Sequence, residues 1–327
     1  MDKRTPLGDW LRTRLQHSRH IAPTTRAKYR ACIDLWIDPP DYDGWTLGRI
    51  ALGDLVPQHG AKFIAFAFDE LGLGGASVRK AFDLARRGLD DAVEVGILAD
   101  NPLPQKAIPV QQKLKSVPTP GQLARILELP EDFDGTNRSR LLLMLASRTG
   151  ARVGELVGLT WGAIDLPKAT MKISQSIDIV QGQPRAKLPK TRAGQRTIRL
   201  DQLLLAELRV ARLHAMRSRQ RGQDIEALPV LHDGADDGQF WRPDAAGQQA
   251  GRLLRRIGIS CSIHGLRHAH ATMLLNARHS PEVVRQRLGH SDIGVTLRVY
   301  GHAIPADDAQ LALTVDTLLA RPAKAAG

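Results

Sequence analysis

The sequence predicts a mainly α-helical protein with one small antiparallel β-sheet, folded as two domains. The chain has 327 residues, more than an average single domain contains. Apolar residues recur at steps of three and four through the first half and again near the end, which is helical spacing. Between residues 170 and 200 they alternate with polar residues, which is the spacing of strands.

The first domain is predicted to be helical and to span residues 1–105. One predicted helix buries Cys32 and Ile33 on its apolar face, and a second begins with Ser77 as its N-cap. Prolines and lysines over residues 106–118 predict an extended basic linker.

The second domain is predicted over residues 119–327. Thr119 and Gln122 have the spacing of a capping box at its first helix, and another helix is expected over about 138–147. Helices resume after the predicted strands. The strands are expected near residues 171–179, 187–188 and 196–200.

Composition excludes several classes of protein. A hydrophobic fraction of 43% is a globular value, which argues against a disordered chain. No run approaches the roughly 18 apolar residues of a membrane span, and the first residues lack the apolar core of a signal peptide. Cys32 and Cys261 lie far apart in the sequence, which argues against a disulfide framework and a cysteine-rich zinc site. We therefore expect a cytoplasmic protein.

The charge is unevenly distributed along the chain. The formal net charge is +12; residues 1–110 contain 15 basic and 14 acidic side chains, whereas residues 111–327 contain 31 and 20. Residues 185–221 alone contain eleven bases and two acids. Such a block is either a solvated face or a surface that follows nucleic-acid phosphates, and the charge of the whole domain favours the second interpretation.

Two arginines of the basic half lie at predicted helix starts beside groups that can orient them. Arg152 precedes Glu155 by three residues, so the carboxylate can fix the guanidinium; a plain surface ion pair is the alternative. His264 and Arg267 project from one helical face and could converge on an anion; alternatively His264 caps the helix and Arg267 forms a surface ion pair. His264 and His268 have the spacing of metal ligands, but the sequence offers no HExxH glutamate and no evident third ligand.

Of the three tyrosines, Tyr29 and Tyr42 belong to the near-neutral half, so Tyr300 is the one that could react in the basic domain; a core or rim position is the alternative.

The segments ARVGEL, HGLRHAHATMLL and LGHSDIGVTLRVYGH, in this order, resemble the signature motifs of the tyrosine recombinase (phage integrase) family. The resemblance covers about residues 119–305 in detail. The first half resembles, more loosely, the helical, SAM-like core-binding domain of that family.

The resemblance implies an α+β catalytic domain and assigns roles to individual residues. Arg152 and Arg267 would clamp the scissile phosphate, Lys190 would protonate the leaving 5′ oxygen, with Lys187 as the alternative, and Tyr300 would be the nucleophile. The matching catalytic positions are Arg152, Lys190, His264, Arg267, His290 and Tyr300, with Glu155 in support of Arg152. His270 departs from the pattern, because relatives often have an apolar or aromatic residue there.

The chemistry of such a set needs no cofactor and no metal ion, because guanidinium and imidazole donors can neutralise the charge that grows on the phosphate. The implied function is site-specific DNA recombination through a 3′-phosphotyrosyl intermediate and a four-way junction. A type IB-like topoisomerase or a catalytically inactive DNA-binding relative is the alternative.

The implied partner is double-stranded DNA with a specific recombination site, bound by a homotetramer whose free form is a monomer or weak oligomer. The protein would be encoded by a bacterium or phage and associated with the nucleoid. We expect the first domain to gather its bases on one face. The predicted DNA contacts are Arg26, Lys28, Arg30, Arg79, Lys80, Lys113, Lys115, Arg192 and Arg196.

Overall fold

The computed structural model describes residues 1–18, 20–109, 117–129, 138–180, 182–189, 194–219, 222–232, 239–290 and residue 294. The chain divides into two compact units, residues 1–114 and 115–327. Leu103 and Ile108 are buried in the core of the first unit. The first unit therefore extends beyond residue 105, because the start of the predicted linker supplies apolar side chains to its core.

The described part of the first unit is helical, as predicted. Its α-helices are α1 (Leu7–His17), α2 (Pro23–Cys32), α3 (Pro57–Asp69) and α4 (Gly75–Glu94). A π-helical turn, Ile33–Ile37, continues α2, and two 3-10 turns, Leu47–Arg49 and Leu52–Asp54, precede α3. The core combines apolar faces of α1 and α4 with the buried side chains of Cys32 and Ile33.

The predicted N-cap of α4 is wrong. Gly74 has an extended conformation and its carbonyl accepts from the N–H groups of Ser77 (2.8 Å) and Val78 (3.1 Å), so it is the N-cap. Ser77 therefore lies within the first turn of the helix, because the chain turns helical at Gly75.

The second unit combines short and long helices with two small antiparallel sheets. Its described elements are α5 (Pro120–Ala124), α6 (Arg138–Thr149), α7 (Val153–Val157), β1 (Ile164–Asp165), β2 (Thr170–Ile173), β3 (Ser176–Val180), β4 (Gln183–Lys187), β5 (Arg196–Arg199), α8 (Gln202–Ser218), α9 (Pro243–Arg256), α10 (Ile263–Asn276) and α11 (Pro281–Leu288). The 3-10 turns Trp161–Ala163 and Ile225–Ala227 precede β1 and follow α8.

The strands form two sheets in place of the one predicted. One sheet has the order β1-β2-β5, with Thr170 opposite Arg199, and the other is the hairpin β3-β4, with Ser176 opposite Lys187. The alternating pattern correctly marks buried strand positions such as Met171. It does not reveal that the chain leaves one sheet between β2 and β3 and enters another, because both strands have the same period.

Helix α6 is the central helix of the second unit. Nearly all of its residues are buried, and it ends where Gly150 adopts a left-handed conformation with φ 66°. A Cβ atom at this glycine would lie 2.8 Å from side-chain atoms of both His270 and Leu288. The close approach of α10 and α11 therefore requires glycine here, and it fixes the path of the chain into Arg152.

Helix starts follow the local sequence closely. The capping box at α5 is confirmed: the N–H of Thr119 donates to Oε1 of Gln122 (2.9 Å), and the N–H of Gln122 donates to Oγ1 of Thr119 (3.3 Å). Helix α10 begins after Ser262, whose hydroxyl oxygen accepts from the N–H of Gly265 (3.3 Å).

Among the helices of the described ranges, none has both the length and the apolar character that a membrane span requires.

We expect Gly154→Ala to destabilise the second unit. An added Cβ would lie 2.6 Å from Oγ of Ser176 and 2.8 Å from the carbonyl oxygen of Ile177, so α7 and β3 must separate at a cost of about 1–3 kcal/mol. Equilibrium urea unfolding measures this. Gly121→Ala in α5 is the matched control, since the described residues place no atom within 4 Å of its Cβ. Equal stability of the two variants would contradict the expectation.

Candidate active site

The site is organised by the carboxyl-terminal turn of α11. Gly289 ends this helix in the left-handed conformation, with φ 68°. Its N–H donates to the carbonyls of Arg285 (2.9 Å) and Gln286 (3.1 Å). The N–H of His290 donates to the carbonyl of Arg285 (3.2 Å). This is the Schellman arrangement, and it leaves the next carbonyls of the turn to be satisfied by groups outside the helix.

Three arginines bind three consecutive carbonyls of this turn. Nε of Arg196 donates to the carbonyl of residue 287 (2.7 Å), and Nη2 of Arg267 donates to that of residue 288 (2.8 Å). Nη2 of Arg152 lies 3.5 Å from the carbonyl of residue 289. The negative end of a helix dipole favours cations at this position. The turn therefore gathers guanidiniums from β5, from α10 and from the start of α7.

Glu155 is the buried carboxylate of the cluster, with 6% of its surface exposed. Its oxygens accept from Nη1 of Arg152 (2.8 Å), from the backbone N–H of Arg152 (2.9 Å) and from Nη2 of Arg196 (2.8 Å). Burial alone would raise the pKa of Glu155, but the bonds and charges of Arg196 and Arg152 outweigh it and lower the pKa. Glu155 is thus a carboxylate that orients Arg152, as its spacing predicts.

Arg267 and Arg152 differ in exposure. Arg267 is 2% exposed and also donates through Nη1 to the carbonyl of Gly150 (2.6 Å), so the backbone fixes its guanidinium on two sides. The side chain of Arg152 is 45% exposed. Three guanidiniums against one carboxylate leave this cluster positive, and Arg152 presents part of that charge to solvent. Such an arrangement can bind an anion.

Of the two histidines of the predicted set, His290 lies beside Arg267 and Arg152, and His264 lies on α10, the helix that carries Arg267. His264 is exposed in the first turn of α10, and its ring meets that of His268 edge-on at 4.6 Å between centroids. Ser262 caps α10, so the alternative in which His264 is the cap is wrong. Burial, and next the charges of Arg267 and Arg152, lower the pKa of His290 to about 4. A neutral His290 can offer a hydrogen bond at pH 7 without adding charge.

Several predicted residues fall outside the described ranges. These are Lys190, Tyr300, Lys113, Lys115 and Arg192. Lys187, the alternative to Lys190, is described: its ammonium donates to a carboxylate oxygen of Asp178 across the β3-β4 hairpin (3.1 Å). Among the described residues, no group of three His, Cys, Asp or Glu side chains is placed to hold a metal ion.

The side chain of Arg196 is buried beside Glu155, which contradicts its predicted contact with DNA. We expected a DNA contact, but its side chain is 7% exposed and its donors are directed at Glu155 and at the carbonyls of residues 194 and 287. A guanidinium buried in this way cannot follow a DNA backbone. Arg196 instead binds the carboxylate of Glu155 together with Arg152, a role that no local sequence signal reveals because Arg196 and Glu155 lie 41 positions apart.

The basic residues predicted to contact DNA from the first unit lie on α2 and α4. Arg26 and Arg30 are one turn apart on α2, and Arg30 binds Asp34 at 2.9 Å. On α4, the ammonium of Lys80 lies 5.9 Å from the ring centroid of Trp36, which follows α2. The described bases are Arg26, Lys28, Arg30, Arg79 and Lys80. Asp34 lies among them, so the segregation of charge is incomplete, and their contact with DNA stays a prediction.

Comparison with known proteins identifies the family. The sequence model of the phage integrase family matches residues 117–306, more than half of the chain. The chain therefore belongs to the phage integrase family, whose members are tyrosine recombinases.

Individual relatives agree with this assignment. A XerC-like tyrosine recombinase of Caldanaerobacter subterraneus subsp. tengcongensis is 28% identical over 249 residues, which are 69% of this chain and 62% of the relative. The chain thus spans less than two thirds of that relative. The tyrosine recombinase XerD of Pseudomonas aeruginosa is 27% identical over 306 residues, 91% of this chain and 92% of the relative.

A solved structure agrees with the fold. The Tn1549 transposon integrase in complex with transposon right end DNA superposes with a TM-score of 0.79 at 17% identity, covering 97% of this chain and 100% of that one. The predicted fold class, helical with a small antiparallel component and an α+β catalytic domain, is confirmed.

We expect Glu155→Gln to destabilise the second unit by about 3 kcal/mol, because it leaves the buried charge of Arg196 without its carboxylate. Urea unfolding at pH 7 measures the change. Asp165→Asn, which removes the exposed partner of Lys168, is the control and should shift the midpoint little. A Glu155→Gln variant as stable as the control would contradict the prediction.

We expect stability to fall between pH 6.5 and pH 4. The pKa values of His270 and His290 are both lowered to about 4, so over this window the unfolded chain binds more protons than the folded one. For the buried ring of His270 the full effect is about 3 kcal/mol and is reached below pH 4.

The measurement is urea unfolding at pH 7 and at pH 4.5 for wild type, His270→Gln and His214→Gln. His270→Gln should lose less stability on acidification than wild type, whereas His214→Gln, an exposed residue of α8, should match wild type. Equal pH dependence in all three proteins would contradict the expected protonation of His270.

Proposed function

We propose that this chain is a site-specific DNA recombinase that cleaves and rejoins DNA through a covalent bond to Tyr300. The observation that carries the proposal is the gathering of Arg152, Arg267 and His290 at one helix end in a member of the tyrosine recombinase family. The phenol of Tyr300 releases its proton to solvent as its oxygen attacks the scissile phosphorus, the bond to the 5′ oxygen breaks, and a 3′-phosphotyrosyl linkage forms. Lys190 gives the departing 5′ oxygen its proton.

The arginine cluster supports this chemistry because charge grows on the non-bridging oxygens as the phosphorus becomes pentacovalent. Arg152 and Arg267 supply forked donors, and the backbone carbonyls and Glu155 hold them in place before the substrate arrives. Preorganised donors of this kind are typically worth about 3 kcal/mol or more each in the transition state. His264 and His290 complete the set as imidazole donors.

The reverse reaction uses the 5′ hydroxyl of a partner strand as the nucleophile and releases Tyr300. The phosphotyrosyl bond conserves the energy of the phosphodiester, so rejoining needs no nucleotide cofactor. Exchange of two strands at a time produces a four-way junction, which requires four active sites. We therefore propose double-stranded DNA as the partner and a homotetramer as the active assembly.

The test uses a DNA site recovered from a random duplex library by binding to the Tyr300→Phe protein. On a nicked suicide substrate of that site, wild type should accumulate a covalent protein–DNA adduct, because the cleaved end diffuses away. Tyr300→Phe should bind the same duplex and form no adduct, since it lacks the attacking oxygen. Denaturing gel electrophoresis measures the adduct.

Tyr29→Phe in α2 is the matched control and should form the adduct like wild type. An adduct in Tyr300→Phe would contradict the assignment of the nucleophile. Relaxation of plasmids that lack the site, without recombinant products, would indicate a type IB-like topoisomerase instead. Binding without any adduct in wild type would indicate a catalytically inactive relative.

A further inference from the structure

A histidine–arginine contact joins α10 to α11, the helix whose last turn receives the three arginines. His270 is on α10, three residues after Arg267, and is 5% exposed. Its Nδ1 lies 3.0 Å from the carbonyl oxygen of Ser147 in α6. Because a carbonyl only accepts, Nδ1 carries the hydrogen. Its Nε2 lies 3.0 Å from Nε of Arg287 in α11, and because Nε of arginine only donates, Nε2 accepts. The two contacts together require a neutral ring in a single tautomer.

Arg287 connects this ring to two further segments. Its Nη2 donates to the carbonyl of Arg148 at the end of α6 (3.1 Å) and lies 3.4 Å from that of Arg199 at the end of β5. Its own carbonyl accepts Nε of Arg196 (2.7 Å), which holds Glu155. One guanidinium therefore ties α6, α10, α11 and β5 together.

These segments are the ones from which the cluster projects. Helix α6 leads through Gly150 into Arg152, and α10 carries Arg267 one turn before His270. Strand β5 begins with Arg196, and the last turn of α11 supplies the carbonyls that receive all three arginines. A shift at the contact between residues 270 and 287 must therefore change the separation of the phosphate-binding groups.

We infer that His270 and Arg287 are a positioning pair that sets the relative placement of Arg152 and Arg267. The inference deepens the proposed function and rests on it for the identity of the anion. Neither residue needs to touch DNA. Both act through backbone carbonyls and helix ends.

Electrostatics favour the neutral ring that the pair requires. The charged groups near His270 include Arg287 from α11, Arg267 from its own helix and Asp201 at the start of α8. From α6 come the carbonyl of Ser147 and the guanidinium of Arg148, which pairs with Asp201 at 2.7 Å and lines the same cavity as His270. Burial, and next the charge of Arg287, lower the pKa of His270 to about 4; the bond to Ser147 and the charge of Asp201 oppose this only in part. A proton on Nε2 would point at the Nε–H of Arg287 and break the contact.

Three variants separate the contacts of this pair. His270→Phe keeps a ring and removes both polar contacts, whereas His270→Gln returns an acceptor near the position of Nε2. Arg287→Leu removes the other partner.

The first experiment observes the pair directly in the full chain. In ¹⁵N spectra of the imidazole nitrogens, assigned with His270→Gln, wild type should show a neutral ring with hydrogen on Nδ1 at pH 6. Arg287→Leu should change the Nε2 shift and raise the pH at which the ring titrates. A His270 ring with the same tautomer distribution and titration in both proteins would overturn the inference.

The second experiment measures function on the suicide substrate. His270→Phe and Arg287→Leu should each slow adduct formation about tenfold or more, with a smaller loss of duplex affinity, because a small displacement of positioned groups costs rate. His270→Gln should recover most of the rate, and His214→Phe, exposed on α8, should match wild type. The double variant should be no slower than the slower single variant, because the pair acts as one contact. Unchanged rates in folded His270→Phe and Arg287→Leu would overturn the inference.

A phosphate titration separates this inference from the proposed function. Inorganic phosphate binding, followed through the ring nitrogens of His290, should weaken about tenfold in His270→Phe and recover in His270→Gln. A wild type that binds phosphate but forms no adduct contradicts the recombinase proposal alone. Phosphate binding in His270→Phe as tight as in wild type, with folding intact, contradicts the positioning pair alone.

Discussion

The carbonyl groups at the end of α11 are the constraint on which the candidate site depends. Helix termini leave carbonyls that must find donors, and water usually supplies them. Here the guanidiniums of three arginines, in place of water, contact the carbonyls of three consecutive residues. Because neighbouring carbonyls have fixed spacing, the arginines they receive are held at fixed spacing too. Backbone geometry thus sets the position of side chains from three other segments, and Gly289 makes that geometry possible by ending the helix in the left-handed conformation.

Holding like charges together has an energetic cost that the fold offsets locally. Glu155 lies between Arg152 and Arg196 and neutralises one charge, while the helix dipole and the carbonyls stabilise the others. A buried carboxylate is itself unfavourable unless its oxygens are satisfied, and those of Glu155 accept from two guanidiniums and a backbone N–H. One carboxylate offsets only one of the three guanidinium charges. The remaining positive charge is the part of the site that an incoming anion can neutralise.

Local sequence patterns correctly predict features that depend on residues close together in the chain. The capping box of α5, the contact between Arg152 and Glu155 and the buried strand positions all depend on residues within a few positions of each other. The contacts that these patterns do not predict join residues far apart in the sequence. Arg152 and Gly289 are 137 positions apart, and no periodicity indicates that a backbone carbonyl binds a guanidinium. The predicted DNA contact of Arg196 is wrong for the same reason, because a basic residue in a basic segment has the same local pattern whether its side chain points to solvent or to a buried carboxylate. The division into two sheets was missed because period alone does not identify a strand's partner.

The protonation of His290 follows from the same arrangement of charges. Its ring is buried beside Arg267 and Arg152, so the cations that would receive a phosphate also keep the imidazole neutral. A phosphate bound by those arginines carries the opposite charge and opposes their field at the ring. The proton affinity of His290 is therefore coupled to occupancy of the anion site, and by linkage anion binding must depend on pH wherever that ring titrates.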